Sequence, residues 1–170
     1  MNLNEYIRDI PDFPKKGIIF KDITPLLKDK TAFAAAVKTM AEPYRNAGLA
    51  AVAAIESRGF ILGAAMALEL GIGFIPIRKP GKLPYKSRRQ QYSLEYGTDA
   101  IEIHEDAVTA GQRILLVDDV IATGGTARAA ADLLKSLGAE LVGIAFLVEL
   151  SFLGGVEKLH GEKIFSVLRY

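Results

Sequence analysis

The chain contains no cysteine, which excludes disulfides, a thiol nucleophile and cysteine-ligated metal centres. It has only two histidines, His104 and His160, too few for a histidine-rich metal site. No uninterrupted apolar run reaches the roughly 18 residues that a membrane span needs. The opening residues, MNLNEYIRDIPDFP, lack a basic stretch followed by an apolar core, so no secretory signal is read and a cytoplasmic location is expected. Neither sign of charge prevails: 21 Lys and Arg against 20 Asp and Glu leave a formal +1, with no general pull toward nucleic acid or membrane. Internal repeats, low-complexity tracts and interdomain linkers are also lacking. What remains is an ordinary globular composition, half hydrophobic and about a quarter charged, in 170 residues, the size of one domain with a full core.

One stretch organises the rest, Arg113 to Ala130 (RILLVDDVIATGGTARAA). Ile114 to Val117 form a continuous apolar run, as a strand buried on both faces would. Asp118 and Asp119 follow at its carboxyl end, then Ala122, Thr123, Gly124, Gly125 and Thr126, then a helix-prone segment. A helix N-terminus offers unpaired N–H groups and a partial positive charge, so it suits a phosphate. Gly124 and Gly125 permit close backbone approach, and the Thr123 and Thr126 hydroxyls add donors. Carboxylates beside a phosphate would repel it, so Asp118 and Asp119 are expected to face ribose hydroxyls, with Mg²⁺ as a further partner. A glycine turn alone would be a plain βα turn. With the acid pair and both threonines it reads as a ribose-5-phosphate clamp.

LLVDDVIATGGT closely resembles the signature of the type I phosphoribosyltransferases, which bind 5-phosphoribosyl 1-pyrophosphate (PRPP). The resemblance implies their fold: a doubly wound, mostly parallel α/β sheet with a small N-terminal hood, about residues 1–30, and a flexible lid loop, about 79–97. Residues 1–170 would form a single phosphoribosyltransferase domain. Counting apolar runs separated by helical segments independently predicts about five core strands.

The remaining segments are expected as follows. Asn2 to Ile10 reads as a short amphipathic helix stopped by Pro11 and Pro14. Thr31 caps a helix that runs toward Ala47 unless Pro43 ends it early. Leu49 to Ile55 is an all-apolar strand, followed by the polar turn Glu56-Ser57-Arg58-Gly59 and a helix to Leu70. In open parallel sheets, ligands bind at such carboxyl-end turns. Arg58 is by itself either a helix-start surface residue or an anion contact. From Arg78 to Arg89, RKPGKLPYKSRR holds six basic residues and no acid. Such a run is usually a solvated face, but its prolines, glycine and length suit a lid closing on a polyanion. Nucleic-acid binding is the rival, weakened because the basic residues are confined to one segment. His104 alternates with Ile101 and Ile103 and is expected on the exposed face of a strand.

Family likeness extends to these segments. Ile18 to Ile23 resembles the hood of the adenine-using members, with Lys21 where Arg is common, and ESRGF and SLEYG resemble their pyrophosphate loop and lid end. The likeness implies adenine phosphoribosyl transfer, giving AMP and pyrophosphate from adenine and PRPP with Mg²⁺, by a homodimer that needs neither nucleic acid nor membrane. By the same likeness Phe20 stacks on adenine, the Ile19 backbone reads its edge and Ile121 closes its opposite face. Ser57, Arg58, Arg78, Lys79, Lys82 and Tyr96 would meet pyrophosphate. Glu95 would be the acid–base group and, with Arg58, catalytic. Mg²⁺ would be carried by PRPP with help from Asp118 and Asp119. The alternatives are a xanthine, guanine or hypoxanthine enzyme with the same donor site, and a PRPP-sensing regulator without turnover.

Overall fold

Apolar runs alternating with helical segments give an α/β architecture. The computed structural model describes every residue except Pro14, Glu95 and Tyr96. The chain runs through β1 (Arg8–Pro11), β2 (Ile19–Asp22), α1 (Thr24–Lys28), α2 (Lys30–Ala41), β3 (Ala51–Ile55), α3 (Arg58–Leu70) and β4 (Gly73–Ile77). It continues through β5 (Ser87–Ser93), β6 (Thr98–His104), β7 (Arg113–Ile121), α4 (Gly125–Ser136), β8 (Glu140–Glu149) and β9 (Ile164–Arg169).

Five strands form a sheet in the order β4-β3-β7-β8-β9, and all four pairings are parallel. The five expected core strands are therefore these. Side chains alternate across the sheet, and both faces are covered, which is why the strands read as continuous apolar runs. Val52, Ala54, Leu115, Val117, Ala145 and Leu147 pack with buried residues of α2 and α3 on one face. Ala53, Ile55, Ile114, Leu116, Ile144 and Phe146 pack with α4 on the other. Chain order turns back between β3 and β7: β3 leads through α3 to β4 on one side, and β7 leads through α4 to β8 on the other. A crevice therefore opens at the carboxyl ends of β3 and β7, the switch point where such sheets bind ligands.

Three segments differ from expectation. Asn2 to Ile10 is not a helix. Leu3–Tyr6 makes one 3-10 turn, and Arg8–Pro11 pairs antiparallel with Ile19–Asp22. A lone two-turn helix is marginal in water, whereas a paired strand satisfies its backbone and sets Ile10 opposite Phe20. The next helix is capped by Asp29, not Thr31: the Asp29 carboxylate accepts from the Thr31 and Ala32 amides, both at 2.9 Å. That helix ends at Ala41, and Pro43 lies in a following 3-10 turn. Within the segment expected as one loop, Ser87–Ser93 is strand, paired with β6. Ile101 and Ile103 anchor the hairpin in the core, and His104 lies on the more exposed face as expected.

Candidate active site

The acid pair falls within β7, in its carboxyl-terminal half, rather than beyond it. Asp118 is half-buried at the crevice floor, and Asp119 is 5 % exposed. Facing them, the turn after β3 supplies Glu56, Ser57 and Arg58. Together with Lys79, Val120 and Thr126 these residues line a cavity of about 420 Å³. Gly59 permits the close approach of α3 to β7, since a Cβ there would stand 2.7 Å from Asp118 Oδ1. Burial raises the Asp118 pKa well above its ordinary value, and the Asp119 charge adds to the rise. Arg58 Nε lies 2.6 Å from Asp119 Oδ2, yet among the described residues none makes a hydrogen bond to that buried oxygen. A carboxylate so placed can accept from a hydroxyl or meet a hydrated cation.

Beside the acids, Asp118 and Val120 to Ala127 line a smaller cavity of about 110 Å³. Ala122, Thr123, Gly124, Gly125 and Thr126 curl around it, with Thr123 exposed at the rim. Gly124 takes φ 78°, a left-handed conformation that favours glycine, and no side chain caps the helix that follows. The first-turn amides of α4 are thus left for an anion.

A cationic wall completes the crevice. Glu56, 10 % exposed, accepts from the Lys79 amide at 2.6 Å and from Lys82 Nζ at 2.7 Å. Arg78 Nε stands 3.4 Å from the same carboxylate. Burial pushes the Glu56 pKa up, but Lys82, the Lys79 amide and Arg78 outweigh it and hold it below the usual value. Lys79 Nζ donates to Asp99 and, at 3.1 Å, to Tyr92 Oη. Burial lowers the Lys79 pKa, and these partners reverse the shift, so the ammonium is held above its ordinary value. Arg58 and Lys79 thus line one cavity, and Arg78 and Lys82 are held next to it by Glu56, an arrangement that can neutralise a polyanion.

The N-terminal hairpin of β1 and β2 meets the crevice through Phe20, whose ring lies 5.1 Å from Arg58 Cζ and 5.2 Å from the Phe13 ring centroid. A half-buried aromatic face beside the acid pair can stack on a planar base. Ile19 alternates away from Phe20, and its side chain lines a separate apolar groove with Phe152 and Tyr170. A contact from Ile19 into the crevice would therefore come from its backbone. Ile121 is 2 % exposed and packs in the core cluster of α4. Of these two neighbours on β7, Val120 rather than Ile121 borders the large cavity. Glu95 and Tyr96, expected as acid–base group and pyrophosphate contact, lie outside the described residues.

Sequence reasoning missed Glu56, Tyr92 and Asp99 as organisers of the basic segment. Their partners lie 13 to 26 positions away, and no periodicity marks such contacts. From the sequence, Gly59 is no more than part of a turn. Among the described residues no group of three or more His, Cys, Asp or Glu could hold a metal ion. No helix among them is long and apolar enough to cross a membrane.

The profile of the phosphoribosyl transferase domain matches residues 26–163. Adenine phosphoribosyltransferase of Thermotoga neapolitana is 56 % identical over 170 residues, covering 100 % of both chains. The crystal structure of adenine phosphoribosyltransferase from Thermoanaerobacter pseudethanolicus superposes with a TM-score of 0.96 at 52 % identity, covering 99 % of this chain and 98 % of that one. The enzyme from Saccharomyces cerevisiae, crystallised with an imino-altritol 1,6-bisphosphate and adenine, gives 0.92 at 38 % identity, covering 97 % and 96 %. Sequence likeness along the whole chain and the same fold place this chain in the phosphoribosyl transferase family, among the adenine phosphoribosyltransferases.

Proposed function

We propose how this chain performs the reaction of its family, transfer of the 5-phosphoribosyl group from PRPP to adenine, giving AMP and pyrophosphate. The observation that carries the proposal is the convergence, at one sheet switch point, of an uncapped helix N-terminus, an acid pair at the crevice floor and a cationic wall. Each matches one part of PRPP. The amides of Ala122 to Thr126 hold the 5′-phosphate. Asp118 and Asp119 accept from the ribose hydroxyls, and Arg58 moves from Asp119 toward the pyrophosphate as the donor enters. Ser57, Arg58, Arg78, Lys79 and Lys82 neutralise pyrophosphate as the bond to C1′ breaks. Tyr96 supports that group from the lid end.

Adenine lies against Phe20, with the Ile19 backbone at its edge and the Val120–Ile121 corner opposite. Its N9 forms the new bond to C1′ as the C1′–O bond to pyrophosphate breaks, and both electrons of that bond leave with pyrophosphate. Glu95 exchanges a proton with the purine ring. Two neighbouring carboxylates, one with a buried oxygen that only the Arg58 ion pair meets, fit Mg²⁺ that arrives on the donor and keeps most of its water. When bound, Mg²⁺ would offset charge building on the departing pyrophosphate. The protein acts as a single domain with hood 1–30 and lid 79–97, in the cytoplasm and as a homodimer, with no nucleic-acid or membrane partner.

Base specificity tests this reading. With PRPP and Mg²⁺, adenine should yield AMP and pyrophosphate, while guanine, hypoxanthine and xanthine should yield no nucleotide. Turnover of an oxopurine would keep the donor site and remove the hood assignment. PRPP binding without turnover of any base would remove the enzyme reading.

A further inference from the structure

Gly155 lies far along the chain from the phosphate turn, at the start of the 3-10 turn Gly155–Leu159. Its neighbour Gly154 has φ 63° and is a glycine for backbone reasons. Gly155 has no left-handed φ, so any residue could adopt its backbone. Contact is what excludes a side chain there. A Cβ on Gly155 would overlap the Ala122 carbonyl oxygen and stand 2.9 Å from both the Ala122 carbonyl carbon and the Gly124 amide nitrogen. Reciprocally, a Cβ on Gly124 would overlap the Gly155 carbonyl oxygen and stand 3.0 Å from its carbon. Every obstacle is backbone, which cannot rotate aside. Both glycines are buried.

The turn that presses on Ala122–Gly124 is itself held. Leu159 is 1 % exposed, and Val156 packs on the α4 side of the sheet. Upstream, the Leu150 amide donates to the Ile121 carbonyl at 3.0 Å, and the Ser151 amide to the Tyr170 carbonyl at 2.8 Å. The phosphate turn therefore has a fixed wall behind it.

We propose that Gly155 is a positioning residue for phosphoribosyl transfer: its bare Cα lets this wall touch Ala122–Gly124 and set the amides that receive the 5′-phosphate. The proposal rests on the reading of residues 122–126 as the phosphate cradle. A displaced cradle loses aim, and a misplacement near 1 Å can cost about a hundredfold.

The test compares Gly155→Ala with Gly161→Ala, a glycine of the same connection with φ 89° and nothing within 4 Å of its Cβ. Binding of ribose 5-phosphate, AMP and pyrophosphate is measured by calorimetry. Gly155→Ala should weaken ribose 5-phosphate and AMP by at least about tenfold while pyrophosphate binds as in the wild type. Gly161→Ala should lower the melting temperature without changing any affinity. Unchanged phosphate-ester affinity in Gly155→Ala, or equal losses in both variants, would overturn the proposal. Wild-type protein that binds AMP while ignoring ribose 5-phosphate would instead sink the cradle reading beneath it. If Gly155→Ala does not fold, hydrogen exchange on the wild type decides. Ribose 5-phosphate should slow exchange in 151–159 together with 122–126, and unaltered exchange in 151–159 refutes the coupling.

Discussion

Burial and the neighbouring Asp119 carboxylate raise the Asp118 pKa above its ordinary value, so the folded chain binds a proton that the unfolded chain has released. An unfolded aspartate ionises near about 3.9. Stability contributed by this residue therefore falls as pH rises through that value, and the deficit is complete above the folded pKa. Asp118→Asn removes the deficit and keeps an oxygen for the Asp119 amide, which Asp118 Oδ1 now accepts at 2.9 Å. We expect the variant to be more stable at pH 8 by about 1–2 kcal/mol, with no advantage at pH 3. PRPP binding should weaken at least about tenfold, as loss of a hydrogen bond to a charged group implies. Thermal melts across this pH range check the first part, and a parallel shift at every pH would exonerate the Asp118 charge. At this scale the sequence was informative: the acid pair and the glycine turn were legible because chemistry and chain proximity coincide there.

At the scale of elements, the basic segment after β4 shows what chain proximity cannot reveal. Its six cations were legible as a run, but not the carboxylates that pair with Arg78, Lys79 and Lys82. Glu56 does so from the end of β3, and its depressed pKa means that its stabilising effect is present at neutral pH and lost as pH falls through the folded value. Glu56→Gln keeps an acceptor for the Lys79 amide and drops the charge. Because Lys82 is 48 % exposed, screening should limit the global loss to under about 1 kcal/mol. Locally the segment should open more often, and tryptic cleavage after Lys82 should accelerate about fivefold or more. Cleavage at the wild-type rate would show that Glu56 does not anchor the segment. The N-terminal helix was misjudged for a related reason: Leu3, Tyr6, Ile7 and Ile10 fit a helical period, but a partner strand at Ile19–Asp22 offered Arg8–Pro11 a better home.

Across the whole molecule, stability rests on two clusters that meet through the sheet. Phe146 is, among the described residues, the largest side chain buried to less than 2 % and lies on β8, next to the strand that carries the acid pair. Phe146→Ala should cost about 3–5 kcal/mol, a large share of the roughly 5–15 kcal/mol typical of a domain. Urea unfolding without ligand measures it. A loss below about 1 kcal/mol would mean that neighbours close the space and that the α4 face is not close-packed.

The sequence by itself determined the parallel α/β class, the count of five core strands and the glycine turn that leads into α4. Those features depend on hydrophobic period and on residues adjacent in the chain, and the order of motifs carried the family likeness. Tertiary structure alone decided that β3 and β7 lie side by side, bringing Arg58 against Asp119 across 61 positions of chain. It also set Glu56 and Asp99 on cations of the basic segment, turned Val120 rather than Ile121 toward the large cavity, and pressed Gly155 onto the turn at 122–124. The physical reason is common to all of these. Propensity and pattern act over a few residues, whereas the position of a charge or the absence of a Cβ has meaning only against an atom that packing brings from elsewhere.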